Sequence, residues 1–136
     1  MAGLVCDIVT PAAKLYSDDA YMVVVPGVEG EMGFLQGHVP LVSVLADGVA
    51  RIQNEKEGAT KRFAIQGGYV EVTGTKVIIL ADRALPAEAV DVKAVESQLA
   101  SLEAELAAKS DEEAAKTTLA ADIDWCKVQL RAANAA

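Results

Sequence analysis

Glu29 and Glu31 flank Gly30, and His38, the only histidine of the chain, follows shortly after. Paired carboxylates near an imidazole can do general acid–base work or help hold a metal ion. Neither reading gathers the partners it needs. His38 can be grouped with Ser43 and Asp47 as a nucleophile triad, but nothing in their spacing supports the pairing. No metal-ligand cluster exists, and Cys6 and Cys126 stand far apart at no metal spacing. Gly27-x-x-Gly30-x-x-Gly33 lacks the Gly-x-Gly start of a dinucleotide loop and precedes no helix. Gly74-Thr75-Lys76 has the wrong order for a phosphate loop and falls in a hairpin turn. The chain is expected not to be an enzyme by itself, with Glu29 and Glu31 solvated charges by default.

The acids and the histidine sit in Pro26–Leu41, a stretch with four glycines and two prolines. Such a composition predicts a loop of tight turns and positive φ rather than regular structure. Rigid runs must hold it: Tyr21–Val25 before, stopped by Pro26-Gly27, and Leu41–Leu45 after. A charged, glycine-built loop on such a support usually contacts something.

Short β-rich runs continue on both sides. Leu4–Val9 alternates, placing Leu4, Cys6 and Ile8 on one face. Asp47-Gly48 separates Leu41–Leu45 from Val49–Ile52, a hairpin signal. Lys56–Ala59 reads as the next turn, Arg62–Ile65 as a strand broken by Gly67-Gly68, and Tyr69–Val72 and Lys76–Leu80 as a hairpin around Thr73-Gly74-Thr75. The pattern predicts an antiparallel β-sandwich or barrel over residues 1–85.

Composition changes at Leu85-Pro86, after which Gly and Pro are absent and Ala, Glu, Leu and Lys dominate. Asp91 is a candidate N-cap. Val92, Val95, Leu99, Leu102 and Leu106 form a narrow apolar seam. Ser110-Asp111-Glu112-Glu113 fits a capping box and predicts that a second helix begins there. That helix carries the stripe Leu119, Ile123, Cys126, Leu130 and a further one, Ala121, Trp125, Val128, Ala132. Residues 86–136 are therefore expected to form an antiparallel two-helix hairpin, with its second stripe covered by the β-domain or by a partner protein. Alone the hairpin is marginal, since its seam buries little against the entropy of ordering it.

The chain has 136 residues and a net charge of −8, with both halves acidic. It suits one domain or a small domain with an appendage. No basic patch is visible in the sequence, which argues against nucleic-acid binding and adsorption to anionic lipid. The two cysteines read as buried free thiols in a reducing compartment. No signal peptide is visible, and no apolar run approaches the ~20 residues that cross a bilayer. A soluble cytoplasmic protein is expected, meeting a membrane only through other proteins.

Gly27-Val28-Glu29-Gly30-Glu31-Met32-Gly33 followed by Gly37-His38-Val39-Pro40-Leu41 resembles the signature loop of the epsilon subunit of bacterial F-type ATP synthases. Gly67-Gly68-Tyr69-Val70-Glu71-Val72 and Val77-Ile78-Ile79-Leu80-Ala81-Asp82 resemble two further motifs of that family, and the likeness covers essentially the whole chain. The resemblance implies a non-catalytic rotor subunit of a proton-translocating ATP synthase. Its sandwich would clamp the gamma subunit and rest on the c-ring. Carried over, Glu29, Gly30 and Glu31 would face the c-ring, and Thr10, His38 and Ser43 would lie near gamma. The hairpin would be regulatory, able to rise along gamma toward the alpha and beta subunits and hinder ATP hydrolysis. The location implied is the cytoplasmic face of the bacterial plasma membrane, peripheral through the complex. Some members bind ATP through Ile/Leu-Asp-x-x-Arg-Ala. Here Val90 and Asp91 keep only its start, and Ala94 replaces the arginine. Weak or absent ATP binding is expected, and no cofactor. Two rivals remain: a nucleotide-sensing module, disfavoured by the missing arginine, and a generic adaptor, which would not need the Gly30–Leu41 loop in this form.

Overall fold

The computed structural model describes residues 3–134. Among these, ten strands form two five-stranded sheets. They are β1 (Leu4–Val9), β2 (Lys14–Ala20), β3 (Met22–Gly27), β4 (Gly30–Leu35), β5 (Leu41–Val44), β6 (Gly48–Gln53), β7 (Thr60–Gln66), β8 (Tyr69–Val72), β9 (Lys76–Leu80) and β10 (Arg83–Pro86). The first sheet has the order β2-β1-β9-β8-β5 and the second β10-β7-β6-β3-β4. All pairings are antiparallel except β1 with β9.

The alternation of the strands builds the core. Leu4, Cys6 and Ile8 point inward from β1 and meet Val70, Val72, Val77 and Ile79 of the same sheet and Val23, Val25, Phe34, Ile52, Phe63 and Ile65 of the facing one. Aliphatic side chains from both inner faces close a dry layer, as in other sandwiches. Burial beside Asp7 pushes the Cys6 thiol up to about 12, so it stays protonated and packs as a small apolar group. Gly67 and Gly68 turn between β7 and β8 at φ 64° and 95°, and a Cβ on Gly68 would collide with the Leu80 carbonyl oxygen.

Three expectations are corrected. The glycine-rich stretch is not all loop. β3 runs on through Pro26-Gly27, turns at Val28-Glu29, and returns as β4, with Pro26 opposite Glu31 and Val24 opposite Gly33. Gly30 supplies the turn at φ 124°. Asp47-Gly48 is not a hairpin turn: β5 pairs with β8 in one sheet and β6 with β3 and β7 in the other. The Asp47 carboxylate accepts from the Gly67 N–H at 3.0 Å, which fixes a corner between sheets. The second helix also begins later than its capping box suggests.

After a 3₁₀ turn at Ala87–Ala89, α1 spans Val92–Ala107 and is capped by Asp91, whose Oδ1 accepts from the Ala94 N–H at 3.1 Å. Ser110 and Glu113 do form the reciprocal capping box, but the helix they start, α2 (Asp111–Ala114), lasts one turn. The long second helix, α3, is Leu119–Asn134. Thr117 and Thr118 cause the break. The Thr117 hydroxyl donates to the Ala114 carbonyl at 2.9 Å and accepts from the Leu119 N–H at 3.3 Å, and the Thr118 hydroxyl bonds Asp122 at 2.9 Å. Adjacent threonines thus offer the backbone alternatives to helical bonding.

α3 packs against α1 and lies across β6 and β7. Val128 and Ala132, with Trp125, cover Ala64 and Val49 on the outer face of the second sheet. In this arrangement the β-domain covers most of the second stripe. Polar latches flank it: the Gln66 side-chain amide donates to the Ala121 carbonyl at 2.8 Å, and Arg83 pairs with Asp122 at 2.8 Å.

Candidate functional site

β5 ends the first sheet and β4 the second, and the two edges meet at one corner of the β-domain. The end of β3 and its turn are tied to the end of β5 by a bridge between Gly27 and Leu45 and by bonds from the Val28 N–H to the Val44 carbonyl at 3.3 Å and from the Ala46 N–H to the Pro26 carbonyl at 2.8 Å. Between them lies an open depression of about 510 Å³ walled by the β3–β4 tip and by Val42, Ser43 and Val44.

The tip presents charge. Glu29 is exposed at the turn, with no hydrogen bond or ion pair among the described residues. Glu31 is equally open but oriented: the Arg51 guanidinium donates to its two oxygens at 2.6 and 3.4 Å. A pair this exposed contributes little to stability, so its effect is to hold the carboxylate still. The wall presents apolar surface. Val42 is 66 % exposed, Val44 59 %, and Tyr69, opposite Val44 on β8, 48 %. Val28, in the turn between β3 and β4, is 60 % exposed, so the rim of the depression carries both apolar and acidic side chains. An open edge strand of this kind is a pairing hazard unless something covers it.

The residues expected near gamma do not gather in one place. Ser43 sits in the middle of β5 opposite Val70, on the wall of the same depression as Glu29, Gly30 and Glu31. Thr10 follows directly on β1, three strands away, or about 14 Å across the sheet. There its N–H and hydroxyl both reach the Ala13 carbonyl, at 2.9 and 3.3 Å. His38 lies toward the opposite end, beside the Gly74 turn, which holds the Gly37 N–H at 2.8 Å. Its Nδ1 donates to the Val39 carbonyl at 2.7 Å, and its ring meets Phe34 edge to face. Asp47, His38 and Ser43 are thus spread over a corner, a loop and a strand. Val90 and Asp91 lie between the 3₁₀ turn and α1, where the Asp91 carboxylate serves as the helix cap.

Sequence reasoning missed Arg51 and the outward valines. Leu41-Val42-Ser43-Val44 reads as a plain apolar run; the available signal was that its valines fall on the face opposite Leu41.

The pattern of the ATP synthase delta/epsilon chain β-sandwich domain matches residues 4–87. The chain belongs to that family. The ATP synthase epsilon chain of Desulforudis audaxviator is 44 % identical over 102 residues, covering 75 % of this chain and 73 % of that one. That of Pelotomaculum thermopropionicum is 42 % identical over 104 residues, covering 76 % of each. A chain in the cryo-EM structure of the Euglena gracilis mitochondrial ATP synthase, comprising OSCP, F1 and c-ring, shares the fold with a TM-score of 0.69 at 20 % identity, over 98 % of this chain and 79 % of that one. A chain of the Tetrahymena thermophila mitochondrial central stalk and c-ring does so with a TM-score of 0.55 at 18 % identity, over 68 % and 71 %. No described helix of this epsilon-family chain is long and apolar enough to cross a membrane.

Proposed function

We propose that this epsilon-family chain is a non-catalytic central-stalk subunit of a proton-translocating F-type ATP synthase, coupling c-ring rotation to ATP synthesis through gamma. Residues 1–85 are the binding domain and residues 86–136 a regulatory hairpin. Family membership supports this reading, and the rim carries it. Val42, Val44 and Tyr69 form an apolar strip on an uncovered edge, suited to burial against gamma, with Ser43 beside it and Thr10 and His38 as outlying contacts. Glu29, Gly30 and Glu31 project next to it, suited to the polar loops of a c-ring. Acids there select basic or polar partners and fix register more than they add affinity.

The hairpin is held by a small apolar patch and two polar latches, so it can leave the sandwich and rise toward the alpha and beta subunits to slow hydrolysis. Ala94 in place of arginine, with Asp91 occupied as a cap, argues for weak or absent ATP binding. The expected place of work is the cytoplasmic face of the bacterial plasma membrane, reached through the complex. The test is ATP-driven proton pumping by epsilon-depleted membranes. Adding the full chain should restore pumping, and Val42→Asp with Val44→Asp should abolish the restoration. Unchanged restoration by that double variant would refute the rim's role.

A further inference from the structure

Three of the four arginines of this acidic chain line one depression. Arg51 and Arg62 lie directly opposite each other across β6 and β7, on the outer face of the second sheet. Arg131 comes from the last turn of α3, where the helix dipole favours a cation. The space they share is about 370 Å³ and open to solvent on the far side of the β3–β4 tip.

Like charges directly opposite in an antiparallel pair are unfavourable. Glu31 relieves Arg51 through two hydrogen bonds. Arg62 and Arg131 have no carboxylate within ion-pair distance among the described residues. Asp47 also lines the depression, but its oxygens already accept from the Gly67 N–H at 3.0 Å and the Gln66 amide at 3.4 Å. Three guanidiniums against two engaged carboxylates leave a local positive excess in a protein of net charge −8. Such an arrangement suits a compact anion with several acceptor oxygens.

We propose that this depression binds a phosphate group, with Arg62 and Arg131 as its principal donors and Arg51 contributing from its Glu31 pair. Guanidinium forks match tetrahedral oxyanions and stay charged at any working pH. Because Arg62 belongs to the sandwich and Arg131 to the hairpin, an anion between them also ties the hairpin down. The inference does not depend on the rotor assignment.

The test is NMR titration of the full chain with orthophosphate, against chloride at matched pH and ionic strength, with glycerol 3-phosphate as a second arm. Saturable shifts centred on the amides of Arg51, Arg62 and Arg131 are expected with at least one phosphate form and not with chloride. The tighter-binding arm shows whether free phosphate or an ester is preferred. Arg62→Gln and Arg131→Gln should each weaken binding about tenfold. Arg62→Lys, which keeps the charge, should weaken it less and controls for a damaged fold. Equal shifts with chloride, no saturation in either arm, or wild-type titration in both Gln variants would overturn the proposal.

Discussion

Asp7 faces outward from β1 yet is only 3 % exposed, because side chains of the two flanking strands, β2 and β9, close over it. Ser17 donates to it at 2.6 Å, and Lys76 and Lys14 approach at 3.1 and 3.4 Å. Desolvation pushes its carboxyl up, but the Ser17 hydrogen bond and the Lys76 and Lys14 ammonium groups outweigh it, so the carboxyl titrates below its ordinary value. The stabilisation is therefore complete above the unfolded carboxylate range near ~3.9 and disappears as pH falls through the lower folded value. Asp7→Asn should cost about 1–3 kcal/mol at neutral pH, and chemical denaturation across the acid range should show a shallower loss than in the wild type. At the β7–β8 turn, Gly68→Ala should cost about 2 kcal/mol or more, because it meets both a left-handed φ of 95° and the Leu80 carbonyl. Equilibrium denaturation reads that directly. Neither effect was visible in the sequence: Gly67-Gly68 announced a break but not the collision, and the alternation of Leu4–Val9 says nothing of the partners that Asp7 finds on β2 and β9.

At the scale of elements, periodicity was a good guide to strands with one buried face and a poor guide to edges. β1, β8 and β9 stand where their alternation places them. β2 and β4 escaped because their residues are mostly exposed and polar or glycine-rich, so pairing rather than burial defines them. β5 and β6 were joined by an Asp-Gly signal that tertiary hydrogen bonding to Gly67 redirected into a corner. The capping box was correct at Ser110, yet Thr117-Thr118 ended its helix after one turn. Replacing both threonines with alanine should join α2 to α3 and raise the helical signal in far-ultraviolet circular dichroism. Hairpin docking can be followed through Trp125, the only tryptophan, which is packed at the edge of the Ala64–Val128 patch. Val128→Asp should red-shift its emission while the sandwich amides remain protected from hydrogen exchange, since a buried unpaired charge costs several kcal/mol. Asp122 titrates below its ordinary value because Arg83 and Thr118 hydrogen-bond it, so acidification should loosen the same contact.

For the whole molecule, a sandwich with one covered and one uncovered face follows from how apolar residues are distributed. The outer face of the second sheet offers Ala64 and Val49 to the hairpin, while the edge of the first leaves Val42, Val44 and Tyr69 to water. The sequence showed the sandwich, the hairpin and the family resemblance through local patterns. It could not show that Ser43 joins the acidic tip while Thr10 and His38 stand apart, or that scattered arginines converge, because those facts depend on strand order. In the proposed function, this uncovered rim is where gamma and the c-ring dock. The most direct measurement is the affinity of the full chain for an epsilon-depleted gamma–c-ring complex, with the wild type and with Val42→Asp/Val44→Asp. Saturable binding weakened about a hundredfold by the double substitution is the predicted result, as expected when two valines lose their apolar burial. Absence of saturable wild-type binding, or equal affinity of the two proteins, would contradict it.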